Sequence, residues 1–151
     1  MADIVSNSKA RRDYHILETV EAGIVLRGTE VKSLRAGRAQ ISDAFARIEN
    51  GQALLYNAHI DEYTQGNRFN HVPKAPRKLL LHKREIQHLA GFADAKGHAL
   101  VPLAMYWNKG LVKVMLAVGR GKQDFDKRED LKQREADREV KRATMKRLKR
   151  R

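Results

Sequence analysis

SDAFARIENGQALLYNAHI, residues 42–60, holds two short runs of strand character around a turn dipeptide. From Ser42 to Glu49 the side chains alternate. Ala44, Ala46 and Ile48 fall on one side, and Asp43, Phe45, Arg47 and Glu49 on the other, which is the period of a half-buried strand. Asn50-Gly51 follows at once, the dipeptide that best tolerates positive φ at both central positions of a two-residue turn. Ala53 to Ile60 then supplies the returning strand. An antiparallel hairpin is the prediction.

The flanking segments continue the same architecture. On the N-terminal side, GTEVKSLR (residues 28–35) reads as a short helix with Thr29 as its cap, Val31 and Leu34 on one face, and Gly37 as its stop. Before it, YHILETVEAGIVL (residues 14–26) is β-branched and apolar, and the glycine at 23 predicts two strands joined by a bend. On the C-terminal side, Glu62 to Arg77 carries Gly66, Asn67, Asn70, Pro73 and Pro76, the composition of an exposed, flexible loop. Lys78 to Leu81 is a short strand, and Lys83 to Phe92 a helix with Ile86, Leu89 and Ala90 at helical spacing. Ala99 to Trp107 and Leu111 to Val118 are two more strands around Asn108-Lys109-Gly110. Short strands separated by turns predict a mainly β fold, a small antiparallel barrel with short flanking helices.

Composition sets the class of partner. The chain has 151 residues, enough for one domain of ~110 to 120 residues and a tail. Residues 119–151 hold fourteen Lys or Arg against seven Asp or Glu, which leaves +7 of the net +13 in about a fifth of the length. That segment has too little apolar surface to offset the entropy of ordering, so on its own it should be mobile or partly helical. Its Asp137–Lys141, Glu135–Arg138 and Glu139–Arg142 spacings favour helix by only ~0.2–0.5 kcal/mol each. The division expected is therefore a barrel over 1–118 and a flexible basic tail over 119–151. A sequence pI near 10.3 favours a nucleic acid over an acidic small molecule. With no cysteine there is no disulfide or thiolate site, and neither a membrane-length apolar run nor a signal core occurs, so a cytoplasmic location is expected.

Four segments together, NSKARRDY (7–14), GTEVKSLRAGRAQISD (28–43), RKLLL (77–81) and GKQDFDKR (121–128), resemble the SsrA-binding (small protein B) family. The likeness runs in order over nearly the whole chain. It implies a barrel related to the oligonucleotide-binding fold, which grips the tRNA-like domain of transfer-messenger RNA. It further implies that the tail reaches the small ribosomal subunit, at the decoding centre and the vacant messenger channel. The family acts in trans-translation, in which a stalled ribosome is rescued and its nascent chain tagged for degradation.

The resemblance also nominates residues. Asn7, Lys9, Arg11 and Arg12 precede the first predicted strand, where an amide can bond phosphate or a base edge and the cations neutralise phosphate. A frayed basic terminus is the competing reading. Glu21, Leu80 and His82 match the family's RNA face, with His82 where relatives often carry Asn. Glu21 would accept from a base or 2′-hydroxyl, or orient a neighbouring Arg. Leu80 is either an exposed contact or part of the core. Lys32 and Arg35 point away from the barrel in the helix reading and can meet RNA. Of Tyr106 and Trp107, adjacent on a strand, one should be core and the other free to stack. In the tail, Lys122, Phe125, Asp126, Lys127 and Arg128 match the family motif, with Phe125 where relatives often have His or Tyr. Met145 and Lys146 match a distal apolar-basic pair.

Nothing in the chain supports catalysis. The six histidines (15, 59, 71, 82, 88 and 98) show no ligand spacing, and no P-loop, GxSxG or paired-carboxylate motif appears. No cofactor and no metal is expected. A general RNA-binding ribosomal protein or assembly factor shares the charge and the barrel, but not the combination of GTEVKSLRAG with GKQDFDKR.

Overall fold

A computed structural model describes residues 3–65, 70–93, 97–122 and 132–143. The chain runs β1 (Asp3–Ser6), α1 (Ser8–Asp13), β2 (Tyr14–Ile24), α2 (Gly28–Arg35), β3 (Ala39–Gln40), β4 (Phe45–Glu49), β5 (Gln52–Tyr56), β6 (His59–Ile60), β7 (Arg77–Leu80), α3 (Lys83–Ala93), β8 (His98–Asn108) and β9 (Leu111–Gly121). By contact the chain divides into two units, Met1–Gly121 and Lys122–Arg151.

The predicted hairpin is the centre of the first unit. Asn50 and Gly51 take φ of 51° and 74°, the left-handed pair that a type I′ turn requires. The register runs from Phe45 opposite Tyr56 to Glu49 opposite Gln52. Ala44 and Ala46 are buried and Ile48 half-buried, whereas Arg47 and Glu49 face solvent, as the alternation demands. The second strand is shorter than expected. Asn57 turns left-handed at φ 59°, so β5 ends at Tyr56 and the chain resumes as β6, paired with β3 in a separate small sheet.

Antiparallel pairing passes around β8-β4-β5-β7-β2-β9 and back to β8, which closes a six-stranded barrel, and β1 adds to β8 outside the ring. Closure removes the exposed sheet edges that would otherwise invite association. Inside lie Ala22, Leu55, Leu79, Met105, Val114 and Leu116, with Leu34 of α2 and Leu89 of α3 packed at the margins. Burying each large aliphatic side chain contributes about 1.5–3 kcal/mol. A second cluster forms where Ala10 of α1 meets Val101, Leu103 and Ala117 on the opposite face of β8 and β9.

Three expectations need correction. β2 is one strand of 11 residues, with an irregularity between Ile16 and Glu18 and no break at Gly23. Gly23 pairs with Leu80 on one side and Lys113 on the other, and a Cβ there would sit 3.1 Å from the Leu80 Cβ. Its glycine therefore serves close approach, not bending. The strand expected to end at Val118 continues to Gly121, because residues 119–121 still pair with β2 and Gly119 and Arg120 pair with β8. Finally, β1 and α1 occupy the terminus whose competing reading was a frayed end.

The other helices match closely. α2 has the predicted bounds and Gly37 follows it at φ 71°. Its first turn is satisfied by Glu30 Oε1, which accepts the Arg27 amide at 2.8 Å, and not by Thr29. In the second unit, residues 132–143 are helical and exposed throughout, and Gln133 Nε2 donates to Asp137 Oδ1 at 3.2 Å.

Candidate nucleic-acid interface

Asn7 is 2% exposed and its polar atoms are spent inside the protein. Its Nδ2 donates to Ile41 O at 3.0 Å and Pro102 O at 2.8 Å, and its Oδ1 accepts the Ala10 amide at 3.0 Å as the cap of α1. The expectation of a direct RNA ligand at Asn7 is thereby corrected: the side chain ties α1 to the barrel. The basic residues of α1 remain outward. Lys9 pairs with Asp43 at 2.9 Å, both exposed, and exposed Arg12 with half-buried Asp13 at 3.4 Å, near-surface pairs of a kind that contributes little. The hydrogen bond between them raises the Lys9 ammonium and lowers the Asp43 carboxyl from their usual values. Arg11 is likewise exposed.

On the outer face of β7, β2 and β9, register brings several nominated groups together. Gly23 lies between Leu80 and Lys113, and Glu21 lies opposite Met115. Leu80 is 52% exposed while Leu79 is 1% exposed, so Leu80 belongs to the surface and not the core. Glu21 is also exposed, and it accepts hydrogen bonds from the Tyr106 hydroxyl and from Asn108 Nδ2. Its carboxylate is oriented by a tyrosine and an asparagine, and among the described residues it holds no arginine. His82 is exposed at the start of α3, where its amide donates to Glu85 at 2.9 Å. Lys32 and Arg35 of α2 are exposed, with the Lys32 ammonium 5.2 Å from the Tyr63 ring centroid.

Tyr106 and Trp107 do face opposite sides, but neither is a free stacking ring. Trp107 packs against the barrel core, and Tyr106 is 8% exposed. Burial first, and the hydrogen bond to Glu21 second, push the Tyr106 phenol up to about 12 from 10.0. A raised folded value favours the neutral phenol. Its stabilising share is complete below pH ~10 and is lost as pH climbs towards ~12. The stability difference between the native chain and Tyr106→Phe, read from urea unfolding, should thus be flat below pH ~10 and shrink above it. A difference independent of pH up to 12 would contradict this assignment.

Sequence reading missed the polar knot beneath α2. Glu30 and Arg77 are 4% and 3% exposed and form an ion pair between the two motif segments GTEVKSLR and RKLLL. Arg77 also donates from Nη1 to Ala58 O at 2.6 Å and from Nη2 to Pro73 O at 2.9 Å and Val72 O at 3.3 Å. His71, 3% exposed, bridges Thr29 Oγ1 at 2.8 Å and Ile60 O at 2.9 Å. The segment read as a solvent loop is consequently anchored at residues 71–77, while its residues 66–69 lie outside the described residues. The available signal was a lone Glu and a lone Arg, each inside an otherwise apolar or cationic motif.

The tail nominations are divided. Lys122 is half-buried at the end of β9. Phe125, Asp126, Lys127, Arg128, Met145 and Lys146 lie outside the described residues.

Comparison with known proteins gives a consistent picture. A family model described as SmpB protein matches residues 4–146. An SsrA-binding protein of Shouchella clausii is 55% identical over 145 residues, covering 96% of this chain and 93% of that protein. Another, of Desulforudis audaxviator, is 58% identical over 140 residues, covering 93% and 92%. A solved chain described as "tmRNA-SmpB: a journey to the center of the bacterial ribosome" superposes with a TM-score of 0.70 at 50% identity, covering 82% of this chain and 87% of that one.

Proposed function

The chain belongs to the SmpB protein family, and on that premise we propose that it binds transfer-messenger RNA and brings it to stalled ribosomes lacking an A-site codon, in support of trans-translation. The observation that carries this reading is the likeness of more than half the residues over nearly the full length of the SsrA-binding relatives. It is an RNA-binding protein, and we assign it no reaction of its own.

Within this reading the first unit holds the RNA and the second engages the ribosome. Glu21, Leu80 and His82, with Lys32 and Arg35, form the contact for the tRNA-like domain. Glu21 fits that role because Tyr106 and Asn108 fix its carboxylate to accept from a base or a 2′-hydroxyl. Lys9, Arg11 and Arg12 add phosphate contacts from α1, and Asn7 supports them by holding that helix in place. Lys122, Phe125, Asp126, Lys127, Arg128, Met145 and Lys146 make the tail's contacts at the small subunit's decoding centre and messenger channel. The working compartment is the cytoplasm, where the ribosome is, and no described helix is long and apolar enough to cross a membrane. Competition binding tests the reading: transfer-messenger RNA should be preferred to bulk tRNA.

A further inference from the structure

Opposite the β7–β2 seam, across the six-stranded ring, lies the seam between β4 and β8. It has the fewest paired residues of any join in the barrel, Ala46 opposite Leu100 alone. Beside it lies a groove of about 870 Å³, lined by Lys9 of α1 and by Phe45 and Arg47 of β4 among others. The hairpin is aromatic on its outer face. Phe45 stacks on Tyr56 with centroids 5.6 Å apart and planes 21° from parallel. The Arg47 guanidinium lies 5.1 Å from the Phe45 centroid and 5.9 Å from that of Tyr56. Glu49 accepts from the Tyr56 hydroxyl at 3.0 Å, which fixes the second ring and raises its phenol.

A cross-strand aromatic pair stabilises a hairpin by itself. That role does not require Arg47, which forms no ion pair among the described residues and spends its charge over the rings. It also leaves the groove unexplained. Charges of both signs line that groove, with Asp43 and Glu49 beside Lys9 and Arg47. Such a lining suits the edge of a neutral base, which presents donors and acceptors together, better than it suits phosphate. An aromatic face and a guanidinium plane supply the stacking that unpaired bases seek in proteins.

We propose that the groove beside the β4–β8 seam receives an unpaired base of ribosomal RNA, stacked against Phe45 and Arg47. This inference rests on the ribosomal reading above, and the geometry favours the ribosome as the source. The groove lies across the ring from the β7–β2 surface assigned to transfer-messenger RNA, and of the contacts assigned to that RNA only Lys9 borders it.

The test uses the full chain with Phe45→Leu and, separately, Arg47→Gln, each checked for an unchanged unfolding transition. Arg47 is exposed, so its replacement leaves the hairpin core intact. Chemical probing of ribosomal RNA should show a base protected by the native protein and unprotected with either variant. Occupancy on stalled ribosomes should fall about tenfold, the scale of one lost stack, while affinity for free transfer-messenger RNA stays within about twofold. Native protection and occupancy in both variants would overturn the proposal, as would a loss confined to free transfer-messenger RNA. A native chain that fails to bind transfer-messenger RNA would instead sink the family-based reading, and the ribosomal protection would still decide the groove.

Discussion

Replacing Arg77 with alanine should cost the barrel about 3–5 kcal/mol in urea unfolding, because it strands the buried Glu30 carboxylate without its partner. The buried Ala58 carbonyl loses its guanidinium donor in the same change, while the carbonyls of Val72 and Pro73 keep the amides of Ala75 and Ile60. The Ala58 carbonyl, left unsatisfied in a buried place, adds its own desolvation cost. Glu30→Gln should also destabilise, since the single side-chain oxygen of glutamine can keep only one of the two hydrogen bonds, from the Arg27 amide or from the guanidinium, and the Arg77 charge loses its counter-charge. A double variant, Glu30→Leu with Arg77→Met, should recover only part of the loss. The buried charges then vanish together, but the Ala58 carbonyl and the Arg27 amide remain without their side-chain partners. An Arg77→Ala chain unfolding within ~1 kcal/mol of the native one would show that the knot is not a structural centre.

Ending the chain after Gly121 should leave affinity for transfer-messenger RNA within about threefold, under ~1 kcal/mol, while tagging on stalled ribosomes falls to background. This cut removes thirteen Lys or Arg and seven Asp or Glu, so the salt dependence of RNA binding should weaken if those cations touch phosphate in the binary complex. The position of the cut matters. A chain ending at Val118, where composition alone draws the boundary, also loses the residues of β9 that pair with Tyr14, His15 and Ile16. Such a chain confounds a damaged barrel with a missing tail. Loss of RNA affinity in the Gly121 truncation, at an unchanged unfolding transition, would refute the division of labour between the two units.

What could be read from the sequence was local. The Asn50-Gly51 turn, the bounds of α2 and most of β8 and β9 follow from residue types within a few positions of one another. Closure of the barrel followed from the count and spacing of strands, whose edges need partners. Distant pairing was not legible. Glu30 and Arg77 are 47 positions apart, and Asn7 reaches Pro102 across 95. Neither residue type announces burial, since charged and amide side chains are usually exposed unless a partner is supplied. Gly23 was misread for the same reason: its need for a small side chain comes from Leu80 on another strand. The face carrying Glu21 and Leu80 was recognisable only by resemblance, whereas its construction, with Tyr106 steering the carboxylate, required the register of β2, β9 and β8. Phe45 and Tyr56 were not singled out in the sequence, and they became a candidate surface only when the β4–β8 seam placed a groove beside them.

The central claim is selective binding of transfer-messenger RNA, and competition at a salt concentration of ~0.15 M tests it most directly, where screening suppresses generic attraction between a +13 protein and any RNA. The full chain, bound to labelled transfer-messenger RNA, is titrated with bulk tRNA. The predicted result is that displacement needs at least about a hundredfold excess, equivalent to ~2.8 kcal/mol of discrimination. Displacement by an equimolar amount of bulk tRNA would contradict the account and leave a general RNA-binding protein in its place.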